Sequence, residues 1–168
     1  ALDRIASDHG VIDEQAQLAY LSMRSNKPDL SVVFKKEYDD TIGEIMMIPQ
    51  DLSRVFINLI NNALYAAEKR KASMPDDWMP LITMITKNLG DKVEVRIRDN
   101  GTGMPEAVRE KVFNPFFTTK PAGEGTGLGL SISHDIIVKQ HGGSIEVDTQ
   151  PGQFTEIRVI LPRAAVVP

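Results

Sequence analysis

Between Asp99 and Ser131 the chain reads DNGTGM, then FNPFFTTKP, then GEGTGLGLS. An acid–glycine turn, an aromatic loop and a glycine-dense helix start thus follow one another closely. Upstream lies an asparagine-rich helical stretch, VFINLINNALYAA. These residue types suit the parts of a nucleotide. A carboxylate can accept from the amine of a base. Glycines admit close backbone approach, and a helix N-terminus offers free N–H groups to phosphates. Amide oxygens of asparagine are hard, neutral ligands for a divalent cation that keeps several waters.

Each feature also has a plainer explanation. Asn58 and Asn62 are four apart and so share one helix face. On spacing alone, a solvated asparagine face accounts for them better than a metal site. Asp99 ends the alternating run Val93–Arg98 and precedes Asn100-Gly101-Thr102-Gly103, and Asn-Gly after a strand is more often only a tight turn. The functional alternative is an acid at a strand end, with Gly101 and Gly103 bringing backbone beside a base. The run Gly125-Thr126-Gly127-Leu128-Gly129 is sharper. Each glycine costs a helix interior about 1 kcal/mol against alanine, so three at a helix start favour a phosphate cradle over chance. The run lacks the Gly-Lys-Ser/Thr ending of a P-loop. It also fails the GxGxxG pattern at Leu130, and a loop precedes it where a dinucleotide site has a strand. Lys120, in that loop, reads equally as a phosphate ligand or a solvated lysine.

The elements that must hold these residues follow from periodicity. Residues 1–10 read as a linker or tail, and 11–25 as a helix with Ile12, Ala16, Ala19, Tyr20 and Met23 on one face. Strands are expected over 30–38 and 44–48, around a turn at 39–43. A long helix over about 49–71 carries Leu52, Val55, Phe56, Leu59, Ile60, Ala63 and Ala67 on its apolar face. Residues 81–87 and 92–99 read as a hairpin across Asn88-Leu89-Gly90. A short helix covers 105–112 and a mobile loop 113–125. A helix then spans 126–140, closed by Gly142, and a hairpin spans 144–149 and 154–161. Residues 163–168 read as a tail. Helices and antiparallel pairs in this order predict an α+β two-layer sandwich: a mixed, mostly antiparallel sheet packed on three helices.

Composition narrows the function classes. The 168 residues, 42% hydrophobic and 25% charged, fit one ordinary globular domain. A net charge of −4 gives no sign of a nucleic-acid partner. The absence of cysteine excludes disulfides, thiolate metal sites and thiol catalysis, and is compatible with a reducing cytoplasm. No apolar run is long enough to span a bilayer. With no initiator Met and no signal peptide, the chain is expected to be part of a longer one. His9, His134 and His141 belong to no metal-spaced cluster, and no Ser-His-Asp set is recognisable. His141 suits a helix C-terminus. Trp78 and Met79 read as local packing.

Together the motifs resemble the catalytic and ATP-binding domain of sensor histidine kinases, in the GHKL or Bergerat-fold superfamily. NLINNALYAA resembles its asparagine box, DNGTGM and GTGLGLS its two glycine boxes, and FNPFFTTK its phenylalanine box. HGGSIEV and IRVILP resemble its closing hairpin. The likeness covers about residues 30–162. It implies ATP and Mg²⁺ as cofactors, with Asn62 as the metal ligand and Asn58 supporting phosphates or metal. Asp99 would read the adenine, with Gly101 and Gly103 beside it and Thr155 nearby. Residues 113–125, with Lys120, would form a lid, and Gly125, Thr126, Gly127, Leu128 and Gly129 a phosphate-binding helix start. The family also implies a domain over 11–162 that phosphorylates a histidine on a separate dimerisation domain, with a response regulator downstream and no membrane contact of its own.

Three departures stand out. Tyr65 and Ala66 replace the lysine and aromatic that often follow the metal asparagine. Phe154 replaces a glycine of the closing hairpin, which is expected to reshape the pocket rim. His9, in SDHGVIDE, lacks the proline and setting of a phosphoacceptor. Hydrolysing relatives carry a glutamate where this chain has Asn58, which favours transfer over a GHKL-type ATPase. A nucleotide-sensing module without catalysis is the third reading.

Overall fold

The computed structural model describes residues 4–6, 8–43, 45–117 and 129–163. In chain order these form β1 (Arg4–Ala6), α1 (Asp8–Asn26), β2 (Val33–Glu37), β3 (Ile45–Met47) and α2 (Pro49–Lys71). Then come β4 (Leu81–Asn88), β5 (Lys92–Asp99), α3 (Glu106–Arg109) and α4 (Gly129–Asp135), which runs on as a π-helical segment, Ile136–Gln140. β6 (Ser144–Gln150) and β7 (Phe154–Pro162) close the fold.

Five strands make one sheet in the order β2-β4-β5-β7-β6. Its neighbours are antiparallel except β2 and β4, which run parallel in register Val33↔Leu81. α2 lies between β2 and β4 in sequence and provides the long connection that a parallel pair requires. Helices α1, α2 and α4 accompany the sheet, so the expected α+β sandwich of a mixed sheet on three helices is the observed one.

The apolar row of α2 does what its spacing predicts: Leu52, Val55, Phe56, Leu59, Ile60, Ala63, Leu64 and Ala67 are all buried. Against them lie the inward rows of the sheet, among them Ile82 and Met84 of β4, Val93, Val95 and Ile97 of β5, and Ile157, Val159 and Leu161 of β7. The outward row is charged. Glu156 sits between Arg96 (3.5 Å) and Arg98 (3.4 Å), Arg96 also meets Glu94 at 2.9 Å, and Arg158 pairs with Glu146. Cross-strand pairs of opposite charge suit a wet face.

Three expectations need correction. Residues 1–10 contain structure: β1 pairs antiparallel with β3, and α1 starts at Asp8, three residues before the expected 11. Accordingly β3 does not form a hairpin with β2 across the 39–43 turn. Arg163 is no loose tail. Its Nε donates to Gly90 O (2.9 Å), its Nη2 to Asn88 Oδ1 (2.8 Å) and its Nη1 to Ile42 O. The expected helix over 126–140 is described only from Gly129, and its last turn is widened to π geometry. The widening accompanies His141, whose ring is buried. Its Nδ1–H donates to Ile136 O (2.9 Å) and its Nε2 accepts from the Ile48 N–H (3.3 Å), joining the helix end to the start of α2.

Candidate functional site

β5 alternates Val93, Val95 and Ile97 inward with Glu94, Arg96 and Arg98 outward, and the next inward position is Asp99. A carboxylate thus continues an apolar row and is only 4% exposed. Its Oδ1 accepts from the Gly101 N–H at 2.8 Å, and the Thr155 N–H on β7, directly opposite in register, also donates to it. Burial outweighs these donors and pushes the Asp99 carboxyl up to about 7. Such a group at the end of a strand is an acceptor largely held out of water, and a buried carboxyl shifted this way marks a candidate binding site.

The turn after it is fixed from every side. Asn100 accepts from the Leu81 N–H (2.8 Å) and donates to Met79 O (3.0 Å). Gly152 N–H donates to Thr102 O at 2.6 Å. Thr149 Oγ1 accepts from the Met104 N–H (2.9 Å) and lies 3.0 Å from Thr155 Oγ1. The two turn glycines have reasons inside the protein. A Cβ at Gly101 would lie 2.5 Å from the α2 backbone at Ala66. One at Gly103, where φ is +67°, would lie 2.1 Å from Gln150 O. Close packing of three backbones thus forces both glycines before any ligand is considered.

α2 passes beside this turn and carries the asparagines. Asn58 Nδ2 donates to Gly129 O (3.2 Å) and to Ser133 Oγ (3.4 Å), and Ser133 Oγ itself donates to Gly129 O (2.9 Å). Asn58 is therefore a brace for the start of α4. Asn62, half-buried one turn on, hydrogen-bonds no described residue. Lys120, Gly125, Thr126, Gly127 and Leu128 lie outside the described residues, as does most of the expected lid over 113–125. At the near edge of that segment Phe116 adopts φ +65° and is 73% exposed.

Two further residues singled out from the sequence find their places here. Phe154 packs beneath Arg98, whose guanidinium carbon lies 3.9 Å from the ring centroid, and it lines a cavity together with Arg98, Asp99, Asn100 and Gln153. The rim at that point is a cation–π stack. His9 is engaged in packing, with its ring stacked 4.3 Å from Tyr38 and Nε2 2.7 Å from Thr86 Oγ1. The sequence reading missed Thr149 and Arg70. Thr149 sits beside a Pro-Gly turn and is one of many strand threonines, and Arg70 is one of three consecutive basic residues at the end of α2.

The residues 47–165 match the family model of histidine kinase-, DNA gyrase B- and HSP90-like ATPases. The chain belongs to this family. Within the family its relatives are sensor kinases. It is 33% identical over 145 residues to the sensor histidine kinase ZraS of Escherichia coli, covering 86% of this chain and 28% of ZraS. It is 52% identical over 125 residues to the sensor kinase CckA of Brucella abortus, covering 66% of this chain and 12% of CckA. The chain thus spans about a quarter or less of those proteins. The catalytic domain of histidine kinase ThkA, solved nucleotide-free, superposes with a TM-score of 0.71 at 27% identity, covering 91% of this chain and 95% of that one. The mycobacterial sensor histidine kinase MprB shares the fold, with a TM-score of 0.74 at 24% identity over 97% of this chain and 100% of that one. By family and by neighbours this is a histidine kinase catalytic domain of the ATP-binding GHKL type. None of its described helices is long and apolar enough to cross a membrane.

Proposed function

We propose that this domain binds Mg-ATP and presents the γ-phosphate to a histidine on a separate dimerisation domain, in cytoplasmic two-component signalling with a response regulator downstream. The observation that carries the reading is Asp99: a carboxylate sealed in a strand end, supplied with two backbone donors and flanked by a rigid glycine turn. A base amine supplies a further donor to a carboxylate whose oxygens can accept more than these two. Gly101 and Gly103 keep the turn in place, and Thr155 orients the acid from the opposite strand. Asn62 offers its amide oxygen to the metal. Mg²⁺, when bound, neutralises charge on the phosphates. Lys120 and the helix start from Gly125 through Thr126, Gly127 and Leu128 to Gly129 are assigned to the phosphates.

The work of this chain is positioning, with no covalent role of its own. The partner's imidazole nitrogen attacks the γ-phosphorus as the bond to the β–γ bridging oxygen breaks, leaving ADP. Asn58 supports transfer over hydrolysis. Its amide is a poor base and its Nδ2 is committed to Gly129 and Ser133. The test is incubation with γ-labelled ATP, with and without the helical acceptor domain in trans. Label should appear on the acceptor, be acid-labile, and be almost absent from this chain alone. Rapid phosphate release without the acceptor would instead assign the ATPase branch.

A further inference from the structure

At the C-terminal end of α2, Arg70 reaches out of the helix to both turns that flank Asp99. Its Nη1 donates to Asn100 O (2.9 Å) and to Gln153 O (2.9 Å), with Gly101 O at 3.5 Å. Asn100 and Gly101 form the turn leaving β5. Gln153 belongs to the turn that leads into Thr155, whose N–H donates to the Asp99 carboxylate. One guanidinium nitrogen therefore ties together the two backbone segments that aim Asp99.

The guanidinium is itself placed by a second device. Its carbon lies 5.2 Å from the centroid of the Trp78 ring. The loop carrying Trp78 is folded onto the helix by Lys71, whose Nζ donates to Pro75 O (3.2 Å), Asp76 O (2.7 Å) and Trp78 O. A planar guanidinium on an aromatic platform loses little further freedom when it donates, which an extended surface arginine would not achieve. The proline-flanked 72–80 loop, which also accepts from Asn100 at Met79 O, serves as a stand for Arg70.

We propose that Arg70, seated on Trp78, is a positioning residue for recognition of the nucleobase: it fixes the spacing between the Asp99 turn and the Thr155 turn and so the aim of the carboxylate. This deepens the nucleotide reading above and rests on it.

Two measurements test it. The first is the affinity of wild type, Arg70→Ala, Arg70→Lys and Trp78→Ala for ATP and for ITP, whose 6-oxo group has no amine to offer Asp99. Arg70→Ala should bind ATP about tenfold more weakly, the scale of losing charge-assisted hydrogen bonds, while ITP changes less than about twofold. Arg70→Lys should recover most of the ATP/ITP ratio, because an ammonium still donates to carbonyls. Trp78→Ala should fall between. Loss of general stability weakens both nucleotides alike, so an unchanged ratio overturns the proposal. The second is amide hydrogen exchange without nucleotide. Gly101 and Gln153 should exchange faster in Arg70→Ala while the amides of Val55–Ile60 do not change. Unchanged exchange at the turns also overturns it. Wild type that binds neither nucleotide overturns the nucleotide reading itself. Wild-type binding with full selectivity in Arg70→Ala overturns only the role of Arg70.

Discussion

Burial of the Asp99 carboxylate makes a distinct contribution to the pH dependence of this domain. Asp99 carries its proton up to about 7 when folded, against 3.8 for a free side chain. Between those values the folded state binds more protons than the unfolded one, so the contribution of Asp99 to stability is full below about 4 and falls as pH rises through about 7. Asp99→Asn removes that slope. The unliganded variant should melt higher than wild type at pH 8, with the gap closing towards pH 5 in thermal melts. Nucleotide binding runs the other way. A base amine donates to the ionised carboxylate, so wild-type affinity for ATP should be weaker at pH 6 than at pH 8, and calorimetry should register proton release. Asp99→Asn should bind weakly at both, with that part of the pH dependence gone. The same logic applies to Asn62: Asn62→Ala should abolish the Mg²⁺-dependent part of ATP binding, measured by titration with and without the metal, and leave the fold intact because Asn62 braces no described residue.

At the scale of elements, the site depends on turns and helix ends pressed together. Gly103 has no room for a methyl group, since the position 2.1 Å from Gln150 O is already filled and φ is +67°. Gly103→Ala should therefore cost about 3 kcal/mol in urea unfolding, by strain and by displacement of the Pro-Gly turn. Gly152→Ala, also at positive φ but with open space around it, should cost only about 1 kcal/mol. His141 offers a second contrast. It was expected to complement a helix end, and it does so by accepting from Ile48 and donating to Ile136. His141→Ala leaves the Ile48 N–H without its acceptor, while Ile136 O keeps the backbone N–H of residue 141 (3.1 Å), and the loss should be about 2 kcal/mol with no effect on nucleotide selectivity.

Across the whole molecule, one helix connects the core to the site. α2 buries Phe56 completely in the core, while on its flank Asn58 reaches the start of α4 and Asn62 lies half-buried one turn on. Phe56→Ala should cost about 4 kcal/mol in denaturant unfolding. It should weaken ATP and ITP together, because a loosened α2 carries the asparagines and Arg70 with it. This uniform loss is the signature that separates a core defect from the base-selective loss expected at Arg70.

Local patterns decided much of this protein. The apolar row of α2, the alternation of β5 and the turn residues at Asn88-Leu89-Gly90 place their elements because each answers to a period or a turn chemistry contained in a few neighbouring residues. The order of the asparagine and glycine boxes pointed to the family for the same reason: the residues lie in short, contiguous runs. In the structure the same alternation carries Asp99 to the inward face. What sequence could not decide was whatever depends on residues far apart in the chain. The parallel pairing of β2 with β4 follows from the α2 crossover, the pairing of β1 with β3 from the return of the chain after α1 and β2, and no local signal encodes so distant a partner. The upward shift of the Asp99 carboxyl comes from neighbours on α2 and β7 that exclude water. Gly101 and Gly103 read from sequence as backbone brought beside a base, and tertiary packing adds a reason within the protein, since a Cβ at either would meet Ala66 or Gln150. Arg70 resembled any basic residue at a helix end until folding brought Asn100, Gln153 and Trp78 around it, because a hydrogen bond is specified by position in space and a residue type states only that a donor exists.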